Sequence, residues 1–531
     1  MLSILYPISF SISLLGLILW FYNEKNPILR RNMSTMFLGG FVAYAFSLAF
    51  ADGEVGFKMW VLFRDLMVLG TVSTLFSFFK NSKALFFGMF VLLIATFPFT
   101  FLKKMNNTFP QKMEKVLSTA TTSIGENIEK SPVLESNSTA NLDKNGELLV
   151  DLGDGKSMED LEKIVSKYGL TAERAFSPKD ESATDLDDYM VINIPVDFEK
   201  DIDKIEAELM ASGSVDYLEQ NEIVQLSPIE TMRPSKRKRA FGINDPGVQE
   251  LWGFDELRMD DLYKLLKSKK VKPQRKANIF ILDTGIDSNH EDLKANYQSH
   301  KKAYDSDRQG HGTHCAGIAA AVTNNKIGVA SYSPNNDFVN VTSVKVLTDY
   351  GGGTQKTVIA GMLEAADNGA DVISMSLGAP SNKNRKRAYA RAVNYCNRQG
   401  AIVIAAAGNS NMDASKYSPA NAPGIITVSA IDTNLHRAHF SNYVQNVPFG
   451  IAAPGVNIYS TFPKNQYKTF NGTSMACPYV AGLVGLMKSI NPEINTKEVY
   501  EILDKTGRNT KSTNQTGKLI QPASAVAEIL K

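Results

Sequence analysis

Three short stretches in the C-terminal half each bring one reactive side chain to the end of an apolar or small-residue run. Their order along the chain limits the possible folds more than any other feature. The first, Ile279-Phe-Ile-Leu-Asp283-Thr-Gly, is a continuous apolar run that stops at an acid and a glycine. Such a run reads as a strand buried on both faces, as in a parallel sheet, with Asp283 presented at its C-terminal end. The second, Gly310-His311-Gly-Thr-His314-Cys315-Ala-Gly317, places a histidine between glycines at the start of a small-residue helix. The third, Asn471-Gly-Thr-Ser474-Met-Ala-Cys477, delivers a serine through a Gly-Thr turn to the start of an Ala- and Gly-rich helix. Backbone N–H groups are unpaired at such a helix start. Each stretch alone is a modest signal, since an Asp after a strand is usually a cap.

Together, in the order Asp283, His311, Ser474, they resemble the subtilisin-like serine proteases, over residues from about Asn244 to Lys531. The resemblance implies an α/β, three-layer fold with a central parallel sheet flanked by helices. It implies a serine endopeptidase working through an acyl-enzyme. Ser474 would attack the peptide carbonyl, His311 would serve as base and then acid, and Asp283 would fix the imidazole tautomer. Asn409, just after the apolar run 401–406, would join the Ser474 N–H as a donor to the oxyanion. Gly351, Gly352 and Gly353, and the stretch Ser374 to Gly378, match the strand edges that pair with substrate backbone in this family. Ser376, Leu377, Gly378, Ala406, Gly408 and Tyr417 would wall the pocket for the residue before the cut. No acid is placed there, so a broad or apolar preference is expected, with Tyr417 partly filling the base. His314, Cys315 and Cys477 are expected to pack internally. Two other readings are a silent relative that only binds peptides and a membrane regulator with one substrate. The complete triad argues against the first.

The same resemblance implies structural calcium (Ca2+). Asp245, Asp292, Thr323, Asn325, Ile327 and Val329 match the family's strong site, and their carboxylate, amide and carbonyl oxygens suit a hard cation. An ordinary Asn-rich turn is the plainer alternative.

The N-terminal fifth is different in kind. Four apolar runs, at 2–22, 33–50, 57–79 and 84–102, approach or reach the length that spans a bilayer and read as four transmembrane helices. A signal peptide would explain only the first. Lys25, Arg30 and Arg31 after the first run, and Lys80 and Lys83 after the third, put those loops inside. Everything after residue 102 is then expected on the extracytoplasmic side of a multi-pass membrane protein. Arg64 and Asp65 read as interfacial.

Residues 103–144 have the Ser-, Thr-, Asn- and Lys-rich composition of a flexible tether. Residues 145–228 read as a small α+β, ferredoxin-like domain, with helices at 158–168 and 198–211 and strands at 189–194 and 215–226. Its last strand, Val215-Asp-Tyr-Leu-Glu-Gln-Asn, resembles the final strand of the propeptide, or inhibitor, domain that precedes these proteases. That implies a folding template whose tail occupies the cleft until it is cut; an independent binding module is the alternative. Residues 229–243 carry Arg233-Pro-Ser-Lys-Arg-Lys-Arg, either a processing region or a solvated charge cluster. The peptidase domain would be 244–531. Peptide or protein substrates, the chain's own propeptide domain and the lipid bilayer are the expected partners. A net charge of +2 gives no reason to expect nucleic acid, and three cysteines exclude a disulfide scaffold.

Overall fold

The computed structural model describes residues 9, 10, 13, 14, 17, 27–49, 62, 147–221, 223–226, 229–231, 241–381 and 387–531. The chain divides into two compact units, Met1–Lys130 and Ser131–Lys531.

In the first unit, helix α1 spans Pro27–Ala49. Proline suits the first helical position, where its missing N–H has no partner to lose. The helix therefore takes in Arg30 and Arg31, which the sequence reading assigned to a loop; nothing between Pro27 and Asn32 breaks the helix once it has begun. Gly40 lies against the chain near Ser13, where an added Cβ would come within 2.7 Å of the Ser13 nitrogen. The Ser13 hydroxyl donates to the Phe37 carbonyl at 3.0 Å, and the Phe10 and Tyr44 rings stand 5.3 Å apart. Among the described residues no helix is long and apolar enough to cross a membrane. The runs expected at 2–22 and 57–79 fall mostly outside the described residues, and the run at 84–102 and the tether 103–144 fall wholly outside them.

The second unit begins with a small module. Strands β1 (Glu147–Leu152), β2 (Thr171–Arg174), β3 (Tyr189–Asn193) and β4 (Val215–Gln220) form an antiparallel sheet in the order β2-β3-β1-β4. Helices α2 (Glu162–Tyr168) and α3 (Ile202–Ala211) follow β1 and β3, giving the βαββαβ order of a ferredoxin-like fold. Leu148, Val150 and Ile192 face the helices, packed with Leu161, Ile205 and Leu209. Alternation turns Leu149 and Val191 to the opposite face, where they join a core shared with the helices of the larger second domain.

That second domain is built on six parallel strands in the order β15-β14-β12-β10-β7-β8. They are β7 (Ala277–Asp283), β8 (Val339–Lys345), β10 (Val372–Met375), β12 (Ile402–Ala406), β14 (Ile426–Ile431) and β15 (Gly450–Pro454). Along β7, Ile279 and Ile281 pack with helices α5 (His311–Ala320) and α8 (Thr473–Ile490). Phe280 and Leu282 pack with α6 (Gln355–Asp367) and α7 (Arg387–Arg398) on the other face. This is the expected three-layer arrangement. Every residue of α8 is buried. Its small residues permit that, since a Cβ on Gly482 would meet the Ala319 carbonyl of α5 at 2.6 Å. The neighbouring strands β7, β10 and β12 all end on one edge, which is where an open parallel sheet places its site.

The module docks on α7 through charge as well as apolar contact. Glu219 Oε1 accepts from the Ala388 N–H at the start of α7 at 3.2 Å. An acid is favoured there by the unpaired N–H groups and the helix dipole. Arg391 reaches the buried Asp151 at 2.9 Å.

Candidate active site

Asp283 is the last residue of β7, and both its carboxylate oxygens lie 2.9 Å from His311 Nδ1. Asp283 Oδ1 also accepts from the Thr284 N–H at 2.8 Å. His311 opens α5 and stands close to β7 because Gly312 lacks a side chain. A Cβ on Gly312 would sit 2.1 Å from the Gly285 carbonyl. Asp307, which the sequence reading missed, holds the helix start. Its Oδ1 accepts from Gly310 N at 2.7 Å and its Oδ2 from Thr313 N at 2.9 Å. The capping rule could not have found it, since the cap position itself is Gly310.

Burial pushes the imidazole pKa down, but the Asp283 carboxylate outweighs it and holds His311 well above the ordinary range. His314 has no such partner. Its ring lies 4.6 Å from Phe470 with Nε2 at the Lys468 carbonyl, and burial pushes its pKa down to about 3. It packs internally as expected. The three cysteines are buried and free. Cys315 Sγ lies 3.5 Å from the Ser474 carbonyl oxygen and 3.9 Å from His311 Nδ1, with its thiol pKa raised by burial. Burial pushes the Cys477 thiol up to about 12, which makes it a poor nucleophile.

Ser474 is the second residue of α8, and its hydroxyl donates to the Ser376 carbonyl at 3.0 Å. The Ser376 carbonyl thus holds the hydroxyl in this arrangement, and that bond is given up when the base takes the proton. Asn409 is anchored by its oxygen, since Oδ1 accepts from Thr473 N at 2.8 Å and from Thr473 Oγ1 at 2.9 Å. One cavity is lined by His311, Ser474, Asn409, Ser376, Leu377, Gly378, Ala406, Gly408 and Tyr417. The structure therefore brings together the serine, the histidine, the amide and the expected pocket walls.

The cleft is not empty. Strand β5 (Ile223–Gln225) pairs antiparallel with β9 (Gly352–Thr354), with Val224 opposite Gly353. The Leu226 N–H then donates to the Gly351 carbonyl at 2.9 Å. Strand β6 (Ile229–Glu230) pairs antiparallel with β17 (Gln466–Asn471), placing Ile229 opposite Asn471, three residues before Ser474. Gln225 and Leu226 also line the cavity. The chain's own segment thus pairs with one of the two expected substrate edges, Gly351 to Gly353, and with β17, an edge that the sequence reading did not assign.

The expected calcium ligands form a separate group. Asp245 accepts from Asn324 N at 2.8 Å and Asn325 N at 3.0 Å. Asp292 accepts from Val329 N at 2.8 Å and Asn325 Nδ2 at 2.7 Å. Burial, with Asp245 nearby, pushes the Asp292 carboxyl up to about 8. Burial raises both acids, and a hard dication would neutralise the pair. Asn325 turns its NH2 rather than its oxygen toward Asp292, so serving as a ligand requires that amide to rotate. The Thr323 carbonyl already accepts from Asn336 Nδ2 at 2.8 Å.

A profile of the Subtilase family matches residues 274–519. Subtilisin DY of Bacillus licheniformis is 39% identical over 275 residues, which cover 50% of this chain and 97% of that protein. The chain belongs to the subtilase family. Thermitase of Thermoactinomyces vulgaris is 44% identical over 218 residues, covering 40% of this chain and 75% of its own length. A solved structure of proteases from Pseudoalteromonas arctica is 28% identical, covers 54% of this subtilase and 99% of its own chain, and has a TM-score of 0.47. This subtilase is a subtilisin-like serine endopeptidase, a hydrolase acting on peptides and proteins.

Proposed function

We propose that Asp283, His311 and Ser474 are the catalytic triad of a membrane-anchored zymogen held inactive by its own residues 145–228. The observation that carries this reading is the double pairing of the chain over the cleft, with Leu226 at Gly351 and Ile229 at Asn471.

The chemistry follows from the geometry. Ser474 Oγ leaves the Ser376 carbonyl and attacks a peptide carbonyl as His311 takes its proton. Asp283 holds Nδ1 protonated and offsets the charge that develops on the ring. The negative oxygen is received by the Ser474 N–H, at an unpaired helix start, and by the Asn409 NH2. His311 then protonates the leaving amine, and water hydrolyses the acyl-enzyme by the same route reversed.

Asp245 and Asp292, with oxygens from Thr323, Asn325, Ile327 and Val329, would hold calcium, which would neutralise the buried acids and brace the loop. The four apolar runs in residues 2–102 support attachment to a bilayer, and the basic residues between them support an extracytoplasmic protease domain. Leu38 and Val42, both more than half exposed on α1, are apolar surface that a bilayer or a neighbouring helix would cover.

The test is to follow the full chain and its Ser474→Ala form over time. Fragments from the region 226–243 in the first alone are expected. Identical fragments in both, or none in either together with no hydrolysis of added peptides, would reject the reading.

A further inference from the structure

A carbonyl attacked by Ser474, with its oxygen at Asn409, belongs to a residue whose own side chain must enter the cavity those two residues share. Its size and lining therefore select what the enzyme cuts after. Tyr417 sits on the two-residue strand β13 (Tyr417–Ser418), which pairs antiparallel with β11 (Ala379–Pro380). From there its ring enters the space between two glycines. A Cβ on Gly378 or on Gly408 would come within 2.7 Å of Tyr417 Cε1. The ring thus fills the gap that the missing side chains leave between opposite walls. It is fixed at its far end too, because the hydroxyl donates to the Gly378 carbonyl at 3.0 Å.

With Gln225 and Leu226 of the chain's own segment also lining it, a cavity of about 40 Å3 remains beside the serine. An apolar cavity of about 150 Å3 is what accepts benzene. A methyl or hydroxymethyl group fits the smaller space and an aromatic or long aliphatic group does not. Among the described residues lining it there is no Asp or Glu, so a basic side chain would enter without a counter-ion.

We infer that Tyr417 closes the floor of the pocket for the residue preceding the scissile bond and confines that residue to glycine, alanine or serine. This is narrower than the broad or apolar preference expected from sequence, and it rests on the assignment of Ser474 as nucleophile. The residue that follows Leu226 in the chain is Ser227, a member of the admitted class.

The test uses the full chain carrying Val224→Asp. Val224 is buried where it pairs with Gly353, and a carboxylate there expels β5 from the cleft. A fluorophosphonate probe, which reacts with an activated serine, counts working sites. Cleavage is then compared on two peptides that differ only in Ala or Phe before the cut. Alanine should be favoured in kcat/KM by at least about tenfold, a span one pocket contact commonly supplies. Tyr417→Gly should abolish or reverse the preference, while Tyr417→Phe, which keeps the ring, should retain it. Tyr417→Ser serves if the glycine variant does not fold. A labelled parent that cuts both peptides equally, or a labelled Tyr417→Gly or Tyr417→Ser with an unchanged ratio, would overturn this inference alone. An unlabelled parent would overturn the role of Ser474 and the inference with it.

Discussion

Thr473 binds Asn409 twice, through its N–H at 2.8 Å and its hydroxyl at 2.9 Å, and both bonds end on Asn409 Oδ1. This decides which end of the amide faces Thr473 and leaves the NH2 end for the cleft. Asn409→Ala should lower kcat by about 10² to 10³ with little change in KM, because the bond is made to the oxyanion and not to the ground state. Steady-state kinetics on one peptide suffice, and an unchanged kcat would remove Asn409 from the site.

The acid limb of the pH profile should lie higher than an ordinary histidine would put it. Burial disfavours the imidazolium, but the Asp283 carboxylate outweighs burial, so the His311 pKa stands well above 6.5. Only neutral His311 can act as base, so kcat/KM should rise with pH through that raised value and fall below it. Asp283→Asn removes the raising charge, should shift the limb toward lower pH, and should cut kcat by about 10⁴. A parent limb at or below 6.5 would contradict the assigned electrostatics.

Calcium should stabilise the fold through Asp245 and Asp292. At a free concentration of about one hundred times Kd, binding to the folded state alone contributes about 2.7 kcal/mol. Melting in excess calcium and in chelator should therefore differ by several degrees, and Asp292→Asn should abolish the difference. Equal melting temperatures in the parent would reject the site.

Self-cleavage between β5 and β6 should be slow. Ser227 and Pro228 are the two residues joining Leu226 to Ile229, and the Ser227–Pro228 bond is a tertiary amide carrying ring bulk on its leaving nitrogen. Pro228→Ala should speed the appearance of fragments ending or beginning there, read by mass spectrometry, and Ser474→Ala should suppress them. Equal rates for parent and Pro228→Ala would discount the proline.

The catalytic elements were legible because each is local. The run ending at Asp283, the glycines around His311 and the Gly-Thr turn before Ser474 form β7, α5 and the start of α8 from nearby residues alone. The ferredoxin-like module was legible through its periodic segments, but β2 was not, since all four of its residues are exposed and show no alternation. The Ser474–Ser376 hydrogen bond and the pairing of Ile229 with Asn471 join residues 98 and more than 200 positions apart, which periodicity cannot report. Tyr417 was recognisable as a pocket residue, yet its confinement between Gly378 and Gly408 depends on three loops meeting.

The strand lying over the cleft belongs to the same chain as the serine it covers. Between Glu230 and Phe241 there are only ten residues, and a tether that short keeps the inhibitor at an effective concentration in the millimolar range. If the segment inhibits as proposed, dilution would therefore not relieve the block. Activation on that reading is set by a covalent event, after which the module leaves in a first-order step and its rebinding becomes second-order, sensitive to how much of the cut module remains nearby.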